Sequence, residues 1–305
     1  MKPVIYTSSL STHHNTGVGH PENAERIEAL EELFDAQGYE VKQAKPVELE
    51  TVFLVHDEEY IYSLMDNTPD TGLFHLDGDT VLSPASYDAA LMGAGAVCQA
   101  ADDVVAGEAQ AAFCAVRPPG HHAEINKAMG FCLMNNIFIG ARYAMSKYNV
   151  KKVAIIDFDV HHGNGTDQMV RQYNDAHPKT PIFFASTHGN PLFPMTGDPK
   201  DNTEMVINQY LPAQCGSEAF RTIYEDHIFP VLKAYNPDIL MLSSGFDAHE
   251  KDPLAQAKLK TEDYAWLASN LSDIVSNKNI ISVLEGGYHV PSLVDSVKGH
   301  LENLT

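Results

Sequence analysis

The sequence predicts a single α/β domain over residues 1–305, built on a mostly parallel sheet with helices on both faces. Three observations lead there. Short apolar runs recur along the chain and alternate with helical patterns, as expected for strands buried on both faces. No repeat, low-complexity tract or linker-like shift of composition divides the 305 residues. A chain of about 300 residues also hides roughly three quarters of its unfolded surface, which supports one large core.

The elements follow in order. PVIYTS, near residue 3, is the first expected strand. Residues 21–37 form a helix: Pro21 opens it, Ile27, Leu30, Leu33 and Phe34 share one stripe, and Gly38 stops it. The same periodicity predicts helices over 86–106, 135–148, 217–234, 261–276 and 292–304. Strands are expected at AAFCAV near 111, KVAIIDF near 152, IFFAS near 182, DILMLSS near 238 and IISVLE near 280.

Composition narrows the function classes. Lys plus Arg total 20 against 41 Asp plus Glu, a net charge of −21. Such a surface repels nucleic-acid phosphates and anionic membranes and attracts cations, and it also serves general solubility. No run of apolar residues long enough to cross a membrane is expected, and MKPVIYTSSLSTHH lacks the apolar core of a signal peptide. Cys98, Cys114, Cys132 and Cys215 form no CxxC pair. Reduced thiols and a cytoplasmic location are therefore expected. The oligomeric state is left open.

In open α/β sheets, ligands bind beyond the carboxyl ends of the strands. Here those ends carry chemistry. RPPGHH delivers His121 and His122; DVHHGNG delivers Asp159, His161, His162 and Asn164; THGN follows IFFAS; GFD delivers Asp247; and GGY delivers Tyr288. Asp157, Asp159 and His161 stand at i, i+2 and i+4, on one face of an extended chain. Paired carboxylates on one face repel unless a cation lies between them. Alone, Asp157 could equally cap the next helix and His161 could be a satisfied core residue; five such strand ends together exceed what core packing explains. One imidazole and two carboxylates, from Asp159, His161 and Asp247, suit zinc with an open position. Iron(II) or cobalt(II) would suit the same ligands. Two anionic ligands make the bound water less acidic than three histidines would, so a separate base is useful, and His121 and His122 are the candidates. The Tyr288 phenol, beside Gly287 in a flexible Gly-Gly turn, can donate to a carbonyl and to the oxyanion it becomes.

RPPGHHAEINKAMGFCLMNN, DFDVHHGNGT, SSGFDAHEKDPL and LEGGYH, in that order, resemble the zinc-dependent histone deacetylase family and its bacterial amidohydrolase relatives, over about residues 14–290. The resemblance implies the arginase–deacetylase fold, a zinc ion on Asp159, His161 and Asp247, and His122 as general base and then acid, with His121 as its electrostatic neighbour. It implies that Tyr288 polarises the scissile carbonyl. Asp157 would orient His121 and help hold a structural potassium ion with Ser186 and backbone oxygens of Asp159, His161 and Thr187. Phe131 and Phe193 would wall a narrow channel, with Gly130, Gly287, Leu254 and Asp79 also in reach of substrate.

Asn164 matches the class II form of the family, where class I members have aspartate. A tyrosine rather than a histidine at position 288 implies real hydrolase activity. The expected substrate is an acyl-lysine peptide or protein. Acetylpolyamines and other small cationic acylamines are the alternative, although Leu254 occupies the place where one acidic polyamine gatekeeper would stand. Asp77 and Asp79, in LDGDT, would grip substrate at the rim or simply form an Asx turn. Two rival readings fit less well. A two-manganese ureohydrolase would need more acidic ligands, and an inert acyl-lysine reader would not need Tyr288, His121 and His122 intact.

Overall fold

A computed structural model describes residues 2–275 and 277–305. Among them, eight parallel strands form one sheet: β1 (Val4–Thr7), β2 (Val41–Gln43), β5 (Ala111–Ala115), β6 (Val153–Asp157), β7 (Phe183–Gly189), β8 (Val206–Leu211), β9 (Ile239–Ser244) and β10 (Ile280–Leu284). A separate antiparallel ribbon pairs β3 (Phe74–His75) with β4 (Val81–Leu82). The strand order is β2-β1-β5-β10-β9-β6-β7-β8, so β5, β10, β9 and β6 occupy the centre.

Every residue of those four central strands is buried. Their side chains alternate between two cores. Ile155 packs with the helices Ser86–Ala106 and Asn136–Tyr148 on one face; Ala154 and Ile156 pack with the helices Glu25–Gln37, Thr261–Ile274 and Val290–Glu302 on the other. The chain builds β1, β2 and β5 on one side, crosses to build β6, β7 and β8 on the other, and returns to fill the gap with β9 and β10. The loops after the four central strands therefore meet above one stretch of sheet edge.

All six expected strands form, but IFFAS is the start of a longer strand: Thr187, His188 and Gly189 continue β7 rather than opening a loop. The edge strands β2 and β8 carry no continuous apolar run. Val41–Gln43 is largely exposed and Val206–Leu211 alternates buried with half-buried residues, so neither announces itself as a strand. Pro21 does not open the first long helix, which begins at Glu25. The expected helix over 217–234 is divided by a π-helical turn at Tyr224–Ile228, and Phe229–Tyr235 completes it. The helix from Thr261 ends at Ile274; its expected last residue, 276, lies outside the described residues.

One expectation is corrected. The helix Ser86–Ala106 is long and apolar enough, by length and composition, to cross a membrane. Here it is a core helix, and its small residues explain how. At Gly95 a Cβ would lie 1.8 Å from the Lys45 carbonyl oxygen, and a Cβ at Gly140 of the neighbouring helix would meet Val97 at 2.3 Å. Backbone and helix approach that closely only where no side chain intervenes.

Candidate metal and hydrolytic site

Asp159 and His161 follow β6, and Asp247 follows β9, the adjacent strand. Their ligand atoms converge. His161 Nδ1 lies 3.1 Å from Asp159 Oδ1 and 2.9 Å from Asp247 Oδ2. A metal holding ligands at about 2.0–2.1 Å with tetrahedral angles spaces them about 3.3 Å apart, so the three side chains fit one small dication. Their other oxygens are fixed from the backbone. Gly286 N donates to Asp159 Oδ2 at 2.8 Å, and Val160 N donates to Asp247 Oδ1 at 2.9 Å. Burial, and then the Asp159 charge, push the Asp247 carboxyl up to about 7. Glycines make room for this cluster. A Cβ at Gly245 would lie 2.1 Å from Asp159 Oδ2, and one at Gly286 would lie 2.3 Å from Asp247 Oδ2.

The loop after β5 brings in the tandem histidines, with ring centroids 4.0 Å apart. His121 Nδ1 is 3.0 Å from Asp157 Oδ2. Burial alone would lower its pKa, but Asp157, Asp159 and Glu285 outweigh burial and push it up to about 10. His122 moves the opposite way. Burial, then His121 and His161, hold it well below the usual imidazole value, while its Nδ1 lies 2.8 Å from Asn164 Oδ1. One ring is thus kept charged and its neighbour kept neutral, which gives the pair distinct roles.

Tyr288 follows β10. Its ring stands edge-on to Phe131 at 6.0 Å, and the Arg26 guanidinium lies 5.1 Å from its centroid. Burial, with Asp247 and Asp159 next, raises its pKa well above the ordinary phenol value, so it remains a donor. The channel residues gather at the mouth. Phe193 is partly exposed and edge-on to His122 at 5.1 Å. A Cβ at Gly130 would strike His122 at 2.4 Å and Phe193 at 2.9 Å, so a side chain there would fill the gap between ring and base. Phe131 has φ of 68°, a left-handed backbone that a bulky residue rarely adopts and that functional sites tolerate. Leu254 borders a groove shared with His20 and Tyr288. Asp77 accepts from the backbone of Asp79 and Thr80, the Asx turn expected as its alternative, while the Asp79 carbonyl lies 3.1 Å from His20 Nε2. Ser186 Oγ meets His188 Nδ1 at 3.0 Å and Thr187 Oγ1 meets the Tyr224 hydroxyl at 3.0 Å, while Asp157 Oδ1 accepts from Asp159 N.

Several supporting residues escaped the sequence reading. Glu285 accepts from Gly120 N and His121 N at 2.7 and 3.1 Å, tying the histidine loop to the tyrosine loop. Asp252 accepts from Tyr288 N at 2.6 Å. Glu22 is buried between Arg26 and Arg117, and Arg26 donates to the carbonyls of Gly287 and Glu285. Glu285 and Arg117 stand in LEGGYH and RPPGHH just past apolar strands, and a charged residue there was the signal available; Asp252, in HEKDPL, is well past the end of β9 and carried no such signal.

Comparison with known proteins agrees with this geometry. A family model described as Histone deacetylase domain matches residues 20–304. The chain is 35% identical to "Histone deacetylase 14, chloroplastic" of Arabidopsis thaliana, covering 96% of this chain and 74% of that protein. It is 31% identical to "Histone deacetylase-like amidohydrolase" of Pseudomonas aeruginosa, over 88% of this chain and 73% of that one. An uncharacterized protein, slr0245, of Synechocystis is 38% identical across 100% of this chain and 99% of its own length. The crystal structure of the HDA15 HD domain has a TM-score of 0.90 at 27% identity, covering 99% of this chain and 90% of that one.

Proposed function

Since the chain belongs to the histone deacetylase family, we propose that it is a zinc-dependent amide hydrolase that removes acetyl or short acyl groups from lysine side chains. The observation that carries this reading is the convergence of Asp159, His161 and Asp247 on one point, beside one charged and one neutral histidine.

Asp159, His161 and Asp247 would hold the zinc, which when bound supplies Lewis acidity toward a carbonyl and a water of lowered pKa. Iron(II) or cobalt(II) would serve the same donor set. The protein's own groups do the rest. Phe131 and Phe193 line the approach with apolar surface, which suits the methylene stem of an acylated lysine. The phenol of Tyr288 donates to the substrate carbonyl oxygen and holds it more tightly as negative charge develops there. His122, neutral with its proton on Nδ1, takes the proton of the attacking water at Nε2. It then gives that proton to the departing amine nitrogen, leaving a carboxylate and a free amine. His121, kept positive by Asp157, lowers the basicity of His122 enough for the proton to be handed on. Asp157 and Ser186, with backbone oxygens of Asp159, His161 and Thr187, are the proposed holders of a potassium ion near this pair.

Small cationic acylamines are the alternative substrate. The acidic composition and Glu25 and Glu28 at the groove beside Tyr288 favour a positively charged partner of either kind. Four buried free thiols support a reducing compartment, and we place the protein in the cytoplasm on that ground. The test is a panel of acyl-lysine peptides and acetylpolyamines given to zinc-loaded protein, with and without a chelator. Hydrolysis that disappears on chelation and returns with zinc is expected. No release of carboxylate from any member, at full zinc occupancy, would overturn the reading.

A further inference from the structure

Asn164 is an amide between two unlike neighbours. Its Oδ1 faces His122 Nδ1 at 2.8 Å. Its Nδ2 donates to Glu124 Oε1 at 2.8 Å and to the Met129 sulfur at 3.3 Å. Both hydrogens of the amide nitrogen are therefore aimed at acceptors. Rotating the amide by half a turn would point a carbonyl oxygen at a carboxylate and a thioether, and the amide nitrogen at His122. The carboxylate of Glu124 opposes that rotation, because two acceptors cannot share a hydrogen bond without a proton. A neutral amide is direction-sensitive in a way a carboxylate is not: only one of its ends can accept from a ring N–H.

The backbone around this relay is fixed. Asn164 is the first residue of the helix Asn164–Ala176. The next residue, Gly165, sits so close to the histidine loop that a Cβ would lie 2.1 Å from the Ala123 carbonyl oxygen. Thr166 N donates to His121 O at 3.2 Å. Glu124 is held by its own N–H, which donates to the Lys127 carbonyl at 2.9 Å. The variable left in this arrangement is which way the amide points.

We propose that Glu124 is a positioning residue: through Asn164 it fixes His122 in the tautomer with hydrogen on Nδ1 and the lone pair on Nε2. This rests on the function proposed above for the catalytic consequence, but not for the tautomer itself. Glu124 touches no substrate in this account. It acts by choosing the orientation of a group that chooses the proton position of the base.

The test uses zinc-loaded full-length protein and three variants. Glu124→Lys puts a donor where the acceptor stood, so Asn164 turns and offers its nitrogen to His122. Glu124→Gln offers an end that works in either orientation. Glu124→Lys with Asn164→Asp restores an acceptor to His122 on a group with no wrong end, and pairs it with the new lysine. Long-range ¹H–¹⁵N spectra of ¹⁵N-histidine protein, assigned by difference with a His122→Gln variant, read the tautomer without any turnover. The Nδ1-protonated pattern is expected in the parent and the double variant, and its loss in Glu124→Lys. In parallel kcat should fall in Glu124→Lys by at least about tenfold, toward the ~10⁴-fold that a wrong histidine tautomer costs a serine-protease triad. KM, zinc content and melting temperature should hold, Glu124→Gln should fall between, and the double variant should recover most of the loss. A Glu124→Lys protein with the parent's tautomer and kcat overturns the proposal, as does a double variant no better than Glu124→Lys alone. If the parent hydrolyses no amide, the hydrolase reading fails while the spectra still decide the tautomer.

Discussion

The centre of the sheet and its edges are built to different rules. The central strands β5, β6, β9 and β10 are buried throughout, and each ends in residues that are themselves buried and polar: Arg117 and His121, Asp159, Asp247, and Glu285. The edge strand β2 is mostly exposed, and its nearest ion pair, Lys42–Asp103, is partly solvated. Buried polar groups cost free energy unless every partner is in place. The centre tolerates them because loops from both sides converge there and satisfy one another, as Glu285 does for the amides of Gly120 and His121. At the edge water supplies the partners, and no such convergence is needed.

That contrast can be broken or sharpened by measurement, beginning with the largest expected effect. Asp247→Ala would remove one of the three proposed ligands and, with it, several kcal/mol of the electrostatic stabilisation a metal site supplies. Turnover should fall on the order of 10³-fold or more, with bound zinc, counted by elemental analysis, falling as well. Retained zinc and turnover would show that the three groups do not share an ion. Glu22→Gln breaks a buried pairing with Arg26 and Arg117 and should cost about 3–5 kcal/mol in chemical denaturation near neutral pH.

Glu22 also fixes the sign of the acid response. Burial would raise its pKa, but Arg117 and Arg26 overcome burial and hold it down to about 2, against 4.5 in the unfolded chain. A carboxyl depressed on folding stabilises above its unfolded value and loses that contribution as pH falls through 4.5 toward 2, here about 3 kcal/mol. The difference between parent and Glu22→Gln should shrink across that window. Tyr288→Phe would remove the proposed donor to the developing oxyanion and should lower kcat by about 10²–10³ with zinc content unchanged. Gly286→Ala presses a methyl group against Asp247 and Asp159 and should weaken zinc about 10–100-fold, as loss of ligand support does elsewhere. At the edge, Lys42→Ala should change stability by less than about 1 kcal/mol. A large effect there would erase the distinction between centre and rim.

The contrast also explains how far the sequence could be read. The central strands were legible because a strand buried on both faces is an unbroken apolar run, as AAFCA and VAIID are. β2 and β8 were not, because a half-exposed edge strand mixes polar and apolar residues like a loop. His121, His122, Asp159, His161, Asp247 and Tyr288 stood out because each directly follows such a run. Glu22 and Arg26 did not. Glu22 just precedes an amphipathic helix and Arg26 stands in its first turn, where charged residues are ordinary, and Arg26 turns inward to the carbonyls of the Tyr288 loop. Glu124 and Asn164 are 40 residues apart, one on a loop and the other opening a helix, and nothing in their spacing marks them as neighbours.

By itself the sequence determined which residue types stand at which strand ends, and so the chemistry available: one imidazole, two carboxylates, a histidine pair and a phenol. Local pattern suffices for that, since alternation and burial are properties of a few neighbouring residues. Tertiary structure alone decided that Asp247 meets His161 across 86 residues, that one histidine is charged and its neighbour neutral, and that Glu124 reaches the far side of Asn164. Those are consequences of strand order and of which charges share a buried volume, and both are set by the whole packed sheet rather than by any one segment of chain.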